Sequence, residues 1–185
     1  MIFYTPYTEK TDADLMARIP RGDKKAFKEV LRRYQTGVYR FALSMIQDTH
    51  DAEDISQEVF LRMYRAAENY RSYASLRTYL YRIARNLCID HIQKKRPEIM
   101  SEPPELSHQQ TPYYHLSASE LRDEIQDVIA TLPENQRAAL HLRHIHDMSY
   151  KEISQTLNVT VQAVESLLTR ARRTFRKRYK SMNKY

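Results

Sequence analysis

The chain has 185 residues, enough for one medium domain or two small ones, and 42% of them are hydrophobic. The formal net charge of +7 suits a polyanionic partner, although it does not require one. Only two glycines occur, which argues against a strand-and-turn fold and against a glycine-rich phosphate loop. Cys88 is the single cysteine, so an intramolecular disulfide and a thiolate metal cluster are excluded, and we expect a small buried residue.

The chain shows neither a signal peptide at its start nor a run of the roughly 18 apolar residues that a membrane helix needs. We therefore expect a cytosolic protein. Helical spacing predicts a short helix over Thr11–Arg18, stopped by Pro20, and a longer one from Lys24 through an apolar pattern that reaches Ile46.

A third helix is predicted from Asp51 to about Ala67, with acidic side chains early and basic ones late. That order stabilises the helix dipole, which is one interpretation. The other is a docking face, because Asp51, Asp54, Glu58 and Arg62 line up along one side. A catalytic carboxylate pair is the weaker alternative, since no histidine or metal-ligand spacing accompanies it.

A tyrosine-rich loop, Asn69–Ser75, precedes a helix predicted over Leu76–Lys95. Outside its apolar face this helix interleaves aromatic and basic side chains: Arg77, Thr78, Tyr79, Arg82, Arg85 and Asn86. Such a pattern is typical of single-stranded nucleic acid binding, where bases stack on rings and phosphates meet guanidinium groups. A merely solvated face is the alternative.

From Arg96 to about Leu116 the sequence is polar and contains four prolines, which predicts a flexible linker and a domain boundary. Helical periodicity resumes at Ser119. His141, His144 and His146 follow, but their spacing does not place three ligands on one helical face, so we predict surface histidines and no metal site.

The segment Ser149–Lys180 predicts two helices joined by a tight turn. Ser149 and Glu152 have capping-box spacing, Asn158 can adopt the left-handed conformation at the helix exit, and Thr160 can cap the second helix. With its basic end this segment is typical of a helix-turn-helix, in which the second helix enters the DNA major groove. A helical hairpin with a basic tail is the alternative.

Side chains that could contact DNA stand on the second helix: Thr160, Gln162, Ala163, Ser166, Arg170 and Arg173. Gln162 suits an adenine edge, and the later arginines suit phosphates.

Four blocks stand in a fixed order: DADLMARIPRGDKKAF, DAEDISQEVFLRMYR and LRTYLYRIARNLCIDHIQKKR, then, after the proline-rich segment, LPENQRAALHLRHIHDMSYKEISQTLNVTVQAVESLLTRARR. Together they resemble bacterial RNA polymerase sigma factors of the extracytoplasmic-function (group IV) type. The resemblance implies an all-α fold of two small helical domains, the region 2 bundle (10–96) and the region 4 helix-turn-helix (118–180), joined by a flexible linker (97–117).

The resemblance also implies roles. Residues that match the block docking on the β′ clamp helices of core polymerase are Asp51, Glu53, Asp54, Gln57, Glu58 and Arg62. Residues that match the segment holding the melted −10 strand are Tyr70, Tyr73, Arg77, Tyr79, Arg82, Arg85 and Asn86. The helix-turn-helix matches the domain that reads the −35 element. The implied partners are core polymerase (β′ clamp helices and β flap), promoter DNA and an anti-sigma factor, with no cofactor and no membrane insertion.

Some positions depart from the usual pattern. Tyr79 replaces a tryptophan, Ser154 an alanine and Asn158 a glycine, while Glu165 and Leu167 stand where basic residues are common. We therefore expect a promoter preference of the chain's own. The runner-up function is a stand-alone helix-turn-helix regulator, for which the acidic and tyrosine-rich helices would be unnecessary. An enzyme is not predicted.

Overall fold

The computed structural model describes residues 6–71, 74–101 and 125–182, and the regular structure in these residues is entirely helical. The α-helices are α1 (Asp12–Arg18), α2 (Lys24–Ile46), α3 (Thr49–Ala66), α4 (Leu76–Ser101), α5 (residues 125–130), α6 (Glu134–His144), α7 (Tyr150–Leu157) and α8 (Val161–Met182). Short 3₁₀ turns occur at Tyr7–Glu9, Ile19–Arg21 and Ala67–Asn69. The predicted all-α fold of two helical domains is confirmed.

Helices α1 to α4 form the first domain, and each of the first three begins at a side-chain cap. Thr11 and Asp14 form a capping box at α1, while Asp23 and Asp48 accept backbone N–H groups at the starts of α2 and α3. Gly22 adopts φ 78° in the turn before α2, a conformation that glycine reaches without strain. Local signals therefore fix where these helices begin.

The core of the first domain lies where α2, α3 and α4 pack against one another. Phe41 from α2, Val59 from α3 and Leu80 from α4 are fully buried there, and Leu15 of α1 joins them. Cys88 is buried in α4, as predicted. Burial of apolar side chains from each helix stabilises the bundle.

Arg33 ties the N-terminal segment to α2. Its guanidinium donates to carboxylate oxygens of Glu29 and Asp12 at 2.9 Å each, and to the backbone carbonyls of Tyr7, Thr8 and Lys10. Hydrogen bonds from Arg32 and then Arg33 lower the pKa of Glu29 to about 2. These contacts, together with the hydrogen bond that the Tyr7 hydroxyl donates to Asp23 at 2.7 Å, hold the segment before α1.

The second domain contains α5 to α8, and its core joins Leu142 of α6, Ile153 of α7 and Leu168 of α8. Val128 of α5 is buried as well. Among the described residues, no helix combines the length and apolarity needed to cross a bilayer.

The two domains touch directly. Helix α7 packs against α4, and α6 packs against α2. Buried side chains from both domains, such as Phe41, Leu80 and Leu142, belong to one continuous apolar cluster. A flexible tether was predicted from the sequence, but this contact was not.

The end of α4 differs from the predicted one. The sequence placed it at Lys95 because Pro97 follows, yet the backbone stays helical to Ser101. A proline removes one hydrogen bond and disfavours a helix without forbidding it. Most of the predicted linker lies in residues 102–124, outside the described residues.

We expect Arg33→Ala to lower the free energy of unfolding by about 2 kcal/mol or more, because several charge-assisted hydrogen bonds are lost together. Arg32→Ala is the matched control, since it also pairs with Glu29 but its side chain is 62% exposed against 20% for Arg33. Urea unfolding followed by circular dichroism measures both. Equal losses in the two variants would contradict the role given to Arg33.

Candidate nucleic-acid and partner surfaces

The helix-turn-helix has the local geometry that its sequence predicts. Ser149 and Glu152 form a reciprocal capping box at the start of α7. Asn158 ends that helix in the left-handed conformation, at φ 54°, and its N–H donates to the carbonyl of Ser154. The Thr160 hydroxyl accepts from the N–H of Ala163 at 3.2 Å. These contacts cap both helices and set the turn between them.

One side of α8 is open to solvent along its length. Gln162, Ser166, Arg170 and Arg173 are exposed and follow each other at helical spacing, with Thr160 exposed at the cap and Ala163 half-buried beside them. The opposite side is buried through Val164, Leu168 and Ala171. The structure thus brings the six residues predicted from the sequence together on one accessible side, which we call the recognition stripe.

A second surface forms where the loop before α4 meets that helix. The rings of Tyr70 and Tyr79 are 5.4 Å apart at an angle of 62°, and the Arg82 guanidinium lies 5.8 Å from the Tyr79 ring centre. These side chains line a cavity of about 290 Å³ together with Ala66, Asn69, Arg71 and Ala74. We call it the tyrosine cavity. The sequence did not single out Asn69 or Arg71, and the predicted residue Tyr73 lies outside the described residues.

The residues predicted on α4 do not share one face. Tyr79, Arg82 and Asn86 lie on the side of the tyrosine cavity, where Arg82 and Asn86 are exposed. Arg77 and Arg85 point towards the second domain instead: Arg77 donates to the carbonyl of His146, and Arg85 donates to Oδ1 of Asn135 at 2.8 Å. Helix α4 therefore carries two separate surfaces.

Helix α3 presents the predicted docking residues. Glu53, Asp54, Gln57 and Arg62 are exposed, while Glu58 is half-buried and accepts from Arg62 at 2.8 Å. Asp51 instead pairs with side chains of α4: its carboxylate lies 2.6 Å from Nζ of Lys95 and 3.1 Å from Nε2 of His91. The hydrogen bond from Lys95, aided by the charge of His91, lowers the pKa of Asp51.

Two apolar side chains on α3 are also exposed, and sequence reasoning missed them. Leu61 is 48% and Tyr64 50% exposed, and the Tyr64 ring meets Phe27 edge-on at 5.4 Å. They could have been predicted from the sequence, because each is an apolar residue on the charged side of an amphipathic helix. Together with the acidic residues they make a mixed surface of the kind that protein partners use.

The second domain carries an apolar groove between α5, α6 and α8, with a volume of about 240 Å³. Its apolar lining is Ile125, Ile129, Leu140, Ile145 and Phe175, and Arg172 and Arg176 stand beside it. Helical periodicity predicts apolar faces that include Ile125, Ile129, Ile145 and Phe175, but not Leu140, and it could not show that an open groove forms between the helices.

The prediction of surface histidines is wrong for two of the three. His144 is exposed, whereas His141 is 3% and His146 7% exposed. His141 belongs to the inner side of α6, and His146 lies in the loop after α6 that enters the domain contact. Helical spacing alone could not predict the burial of His146. Among the described residues no three histidine, cysteine or acidic side chains are grouped as metal ligands.

Burial sets the charge state of both histidines. It lowers the pKa of His141 to about 4, aided by the charges of His146 and Arg137. It also lowers the pKa of His146 to about 4, aided by Arg77 and Arg40 and opposed by Asp147. Both rings are therefore neutral near pH 7.

Comparison with known proteins fits this architecture. The sequence matches sigma-70 region 2 over residues 30–98 and sigma-70 region 4 over residues 122–175. The curated relatives include the RNA polymerase sigma-H factor of Pseudomonas aeruginosa, 33% identical, with 89% of this chain and 92% of the relative covered. The ECF RNA polymerase sigma factor SigW of Bacillus subtilis is 31% identical, with 89% and 95% covered.

Solved structures share the fold. The structure of CnrH in complex with the cytosolic domain of CnrY matches with a TM-score of 0.71 at 22% identity, covering 93% of this chain and 99% of that one. The sigma factor RpoE of Bartonella quintana, solved with the anti-sigma factor NepR, matches with a TM-score of 0.68 at 20% identity, covering 84% and 98%.

Both matched regions define one class of protein, the sigma-70 factors of RNA polymerase. The chain belongs to the extracytoplasmic-function (ECF) group of this family. Its members are transcription initiation factors, not enzymes. A stand-alone helix-turn-helix regulator is not favoured, because the relatives match both domains.

The lowered pKa of His141 predicts a pH dependence of stability. The folded state resists protonation of this ring, so the stability present above about pH 6.5 falls as the pH drops towards 4. Arg137 and His146 face the ring, Arg172 and Arg176 of α8 line the same groove, and His144 lies on its own helix. His141→Gln should reduce the loss between pH 7 and pH 5 by roughly 2 kcal/mol.

Urea unfolding at each pH measures this effect, and His144→Gln, which removes an imidazole from an exposed position of the same helix, is the matched control. An unchanged pH dependence in His141→Gln would show that this ring does not titrate as its burial implies.

Proposed function

We propose that the protein binds core RNA polymerase through α3, reads the −35 element as duplex DNA with α8, and holds the melted −10 strand at the tyrosine cavity. The observation that carries this proposal is the presence of both DNA surfaces, the recognition stripe and the tyrosine cavity, on the two domains of one ECF family member. The side chains of each surface suit its proposed target.

The recognition stripe suits duplex DNA. Its early residues, Gln162 and Ser166, are short or amide side chains that can reach base edges, and Gln162 can pair with adenine through two hydrogen bonds. Arg170 and Arg173 come one and two turns later, where phosphates of the groove wall would lie. The Thr160 hydroxyl oxygen accepts the helix-cap hydrogen bond, and its proton can still be donated to a phosphate.

The tyrosine cavity suits an unpaired base. Tyr70 and Tyr79 supply aromatic faces, and Arg82 beside Tyr79 supplies a positive charge for the adjoining phosphate. Stacking of a base on an aromatic ring contributes about 1–3 kcal/mol, comparable with the cost of unpairing it. Because Tyr79 is smaller than the tryptophan usual in the family, we expect a different balance of base preferences.

The exposed side of α3 suits the β′ clamp helices. Glu53, Asp54 and Gln57 offer polar contacts, and Leu61 and Tyr64 add apolar area that is left uncovered in the described residues. The groove of the second domain suits an amphipathic helix with an acidic rim, because it is apolar inside and has Arg172 and Arg176 beside it. We assign it to the β flap.

We also propose an anti-sigma partner. The two structural relatives were solved with the cytosolic domain of CnrY and with the anti-sigma factor NepR. An anti-sigma factor anchored in the membrane would hold this protein at the inner face of the membrane, and otherwise we expect it in the cytoplasm. Recovery of neither polymerase nor a regulatory protein from the native cell would contradict these partners.

Run-off transcription with core polymerase on the DNA upstream of its own gene tests the proposal directly. Asp54→Lys should lower transcript yield at least tenfold, because it reverses charge at the centre of the docking face. Glu9→Lys is the matched control, since Glu9 is exposed and lies on the N-terminal 3₁₀ turn, away from α3. Absence of transcripts with the wild type would overturn the proposed function.

The two ends of the recognition stripe should behave differently. Arg173→Ala should weaken binding similarly for all DNA sequences and reduce the slope of log affinity against log salt by about 1. Gln162→Ala should cost about 1–3 kcal/mol at one base position only. Titration of promoter variants at several salt concentrations measures both. A sequence-specific loss in Arg173→Ala would contradict the assignment to a phosphate.

A further inference from the structure

The contact between the two domains has an aromatic and polar centre. The hydroxyl of Tyr81 on α4 and Nδ1 of His146 in the loop after α6 are hydrogen-bonded at 2.9 Å, and their ring centres are 4.7 Å apart. Phe41 of α2 meets both rings edge-on, at 5.5 Å and 6.2 Å. An imidazole of the second domain is thus packed among rings of the first.

Gly37 makes room for this arrangement. It lies in the middle of α2, where glycine destabilises a helix relative to alanine. A Cβ at this position would meet the Tyr81 hydroxyl at 2.5 Å, closer than atoms can approach, and Cε1 of His146 at 4.0 Å. The Tyr81 hydroxyl can reach His146 because residue 37 has no side chain.

The same contact buries polar atoms that find no hydrogen-bond partner among the described residues. They include Nε2 of His146 and Nε of Arg137, whose side chains are 7% and 8% exposed. Nε of Arg85, on the facing side of α4, is a third. Removing polar groups from bulk water opposes the free energy gained by burying apolar side chains. A contact with this polar content is less stable than an entirely apolar contact of the same area.

The contact covers a DNA surface. Arg77 and Arg85, which match residues of the −10 segment, donate hydrogen bonds to His146 and Asn135, respectively. Tyr79 and Arg82, on the other face of α4, remain at the tyrosine cavity. The closed protein therefore offers three of the five α4 residues assigned to the −10 strand, namely Tyr79, Arg82 and Asn86.

Geometry also requires the domains to part. Elements named for positions −35 and −10 are about 25 base pairs apart, roughly 85 Å of duplex at 3.4 Å per base pair. Helices α7 and α8 have 8 and 22 residues, so they are only about 12 Å and 33 Å long. With α7 against α4, one closed molecule cannot reach both elements.

We propose that Gly37, Tyr81 and His146 form a latch that holds the two domains closed in the free protein, and that Arg77 and Arg85 become available to the −10 strand only when the latch opens. This regulatory contact rests on the proposed function of α4, but the latch itself is a property of the protein alone. Binding of polymerase to both domains in their separated arrangement would supply the free energy that opens it.

A double-mutant cycle in the full-length protein tests the latch. Gly37→Ala should shift the ratio of closed to open molecules roughly tenfold towards open, because its Cβ displaces the Tyr81 hydroxyl. Tyr81→Phe should also favour open, since His146 loses its partner. In the Tyr81→Phe background Gly37→Ala should add little, because the next nearest ring atom, Cζ, lies at 3.8 Å, an ordinary contact.

Single-molecule energy transfer between dyes at Lys28→Cys on α2 and Lys177→Cys on α8 measures the ratio. Both positions are exposed, and Cys88 is buried with its pKa raised to about 12, so it does not compete for the dye. Thr36→Ala is the matched control: it is also a change to alanine on α2, at an exposed neighbouring position, and should leave the ratio unchanged.

Additive effects of Gly37→Ala and Tyr81→Phe, or an effect of Thr36→Ala equal to that of Gly37→Ala, would overturn the latch. A second readout is the rate of association with core polymerase, which should rise in Gly37→Ala if opening limits it. Transcripts from the wild type together with an unchanged ratio and rate in Gly37→Ala would refute the latch and leave the proposed function standing. Absence of transcripts from every variant, with the ratio shifted as expected, would refute the function and leave the latch standing.

Discussion

The structure depends on helix α4, which contacts the core of the first domain, the tyrosine cavity and the second domain. Helix α4 completes the core of the first domain through Leu80, frames the tyrosine cavity through Tyr79, and meets the second domain through Tyr81. Three consecutive residues point in three directions because successive side chains on a helix are about 100° apart. Any change that rotates or bends α4 would therefore disturb packing, the candidate −10 surface and the domain contact together.

The sequence was sufficient where the cause is local. A capping box, a left-handed Asn158 and a threonine cap act within a few residues, so the helix-turn-helix could be predicted down to individual hydrogen bonds. Apolar periodicity predicted the helices of the first domain in the same way. The end of α4 was placed too early because Pro97 weakens a helix by an amount that its neighbours can offset.

The sequence was insufficient where the cause lies far along the chain. His146 is buried by Phe41 and Tyr81, which precede it by 105 and 65 residues, and no pattern around His146 encodes that meeting. The split of the arginines on α4 was hidden for the same reason, since periodicity shows that Arg77 and Arg82 diverge but not what each faces. Exposed Leu61 could have been found, because a leucine at a position where the periodicity predicts polar residues is visible in the sequence.

A net positive charge adds a further constraint on the domain contact. Arg40, Arg77 and Arg137 all lie near His146 or its neighbours, and the charges of Arg77 and Arg40 lower the pKa of this ring together with burial. Arg40 and Arg77 both belong to the first domain, so closing the domains adds the charge of Arg137 to theirs. In the open protein, a phosphate beside Arg77 would neutralise one of these charges. The contact that closes the free protein and the DNA strand proposed for the open one therefore share two arginines, Arg77 and Arg85. Under the proposed function, competition for these two arginines would couple domain opening to promoter binding, in addition to the free energy that polymerase binding supplies.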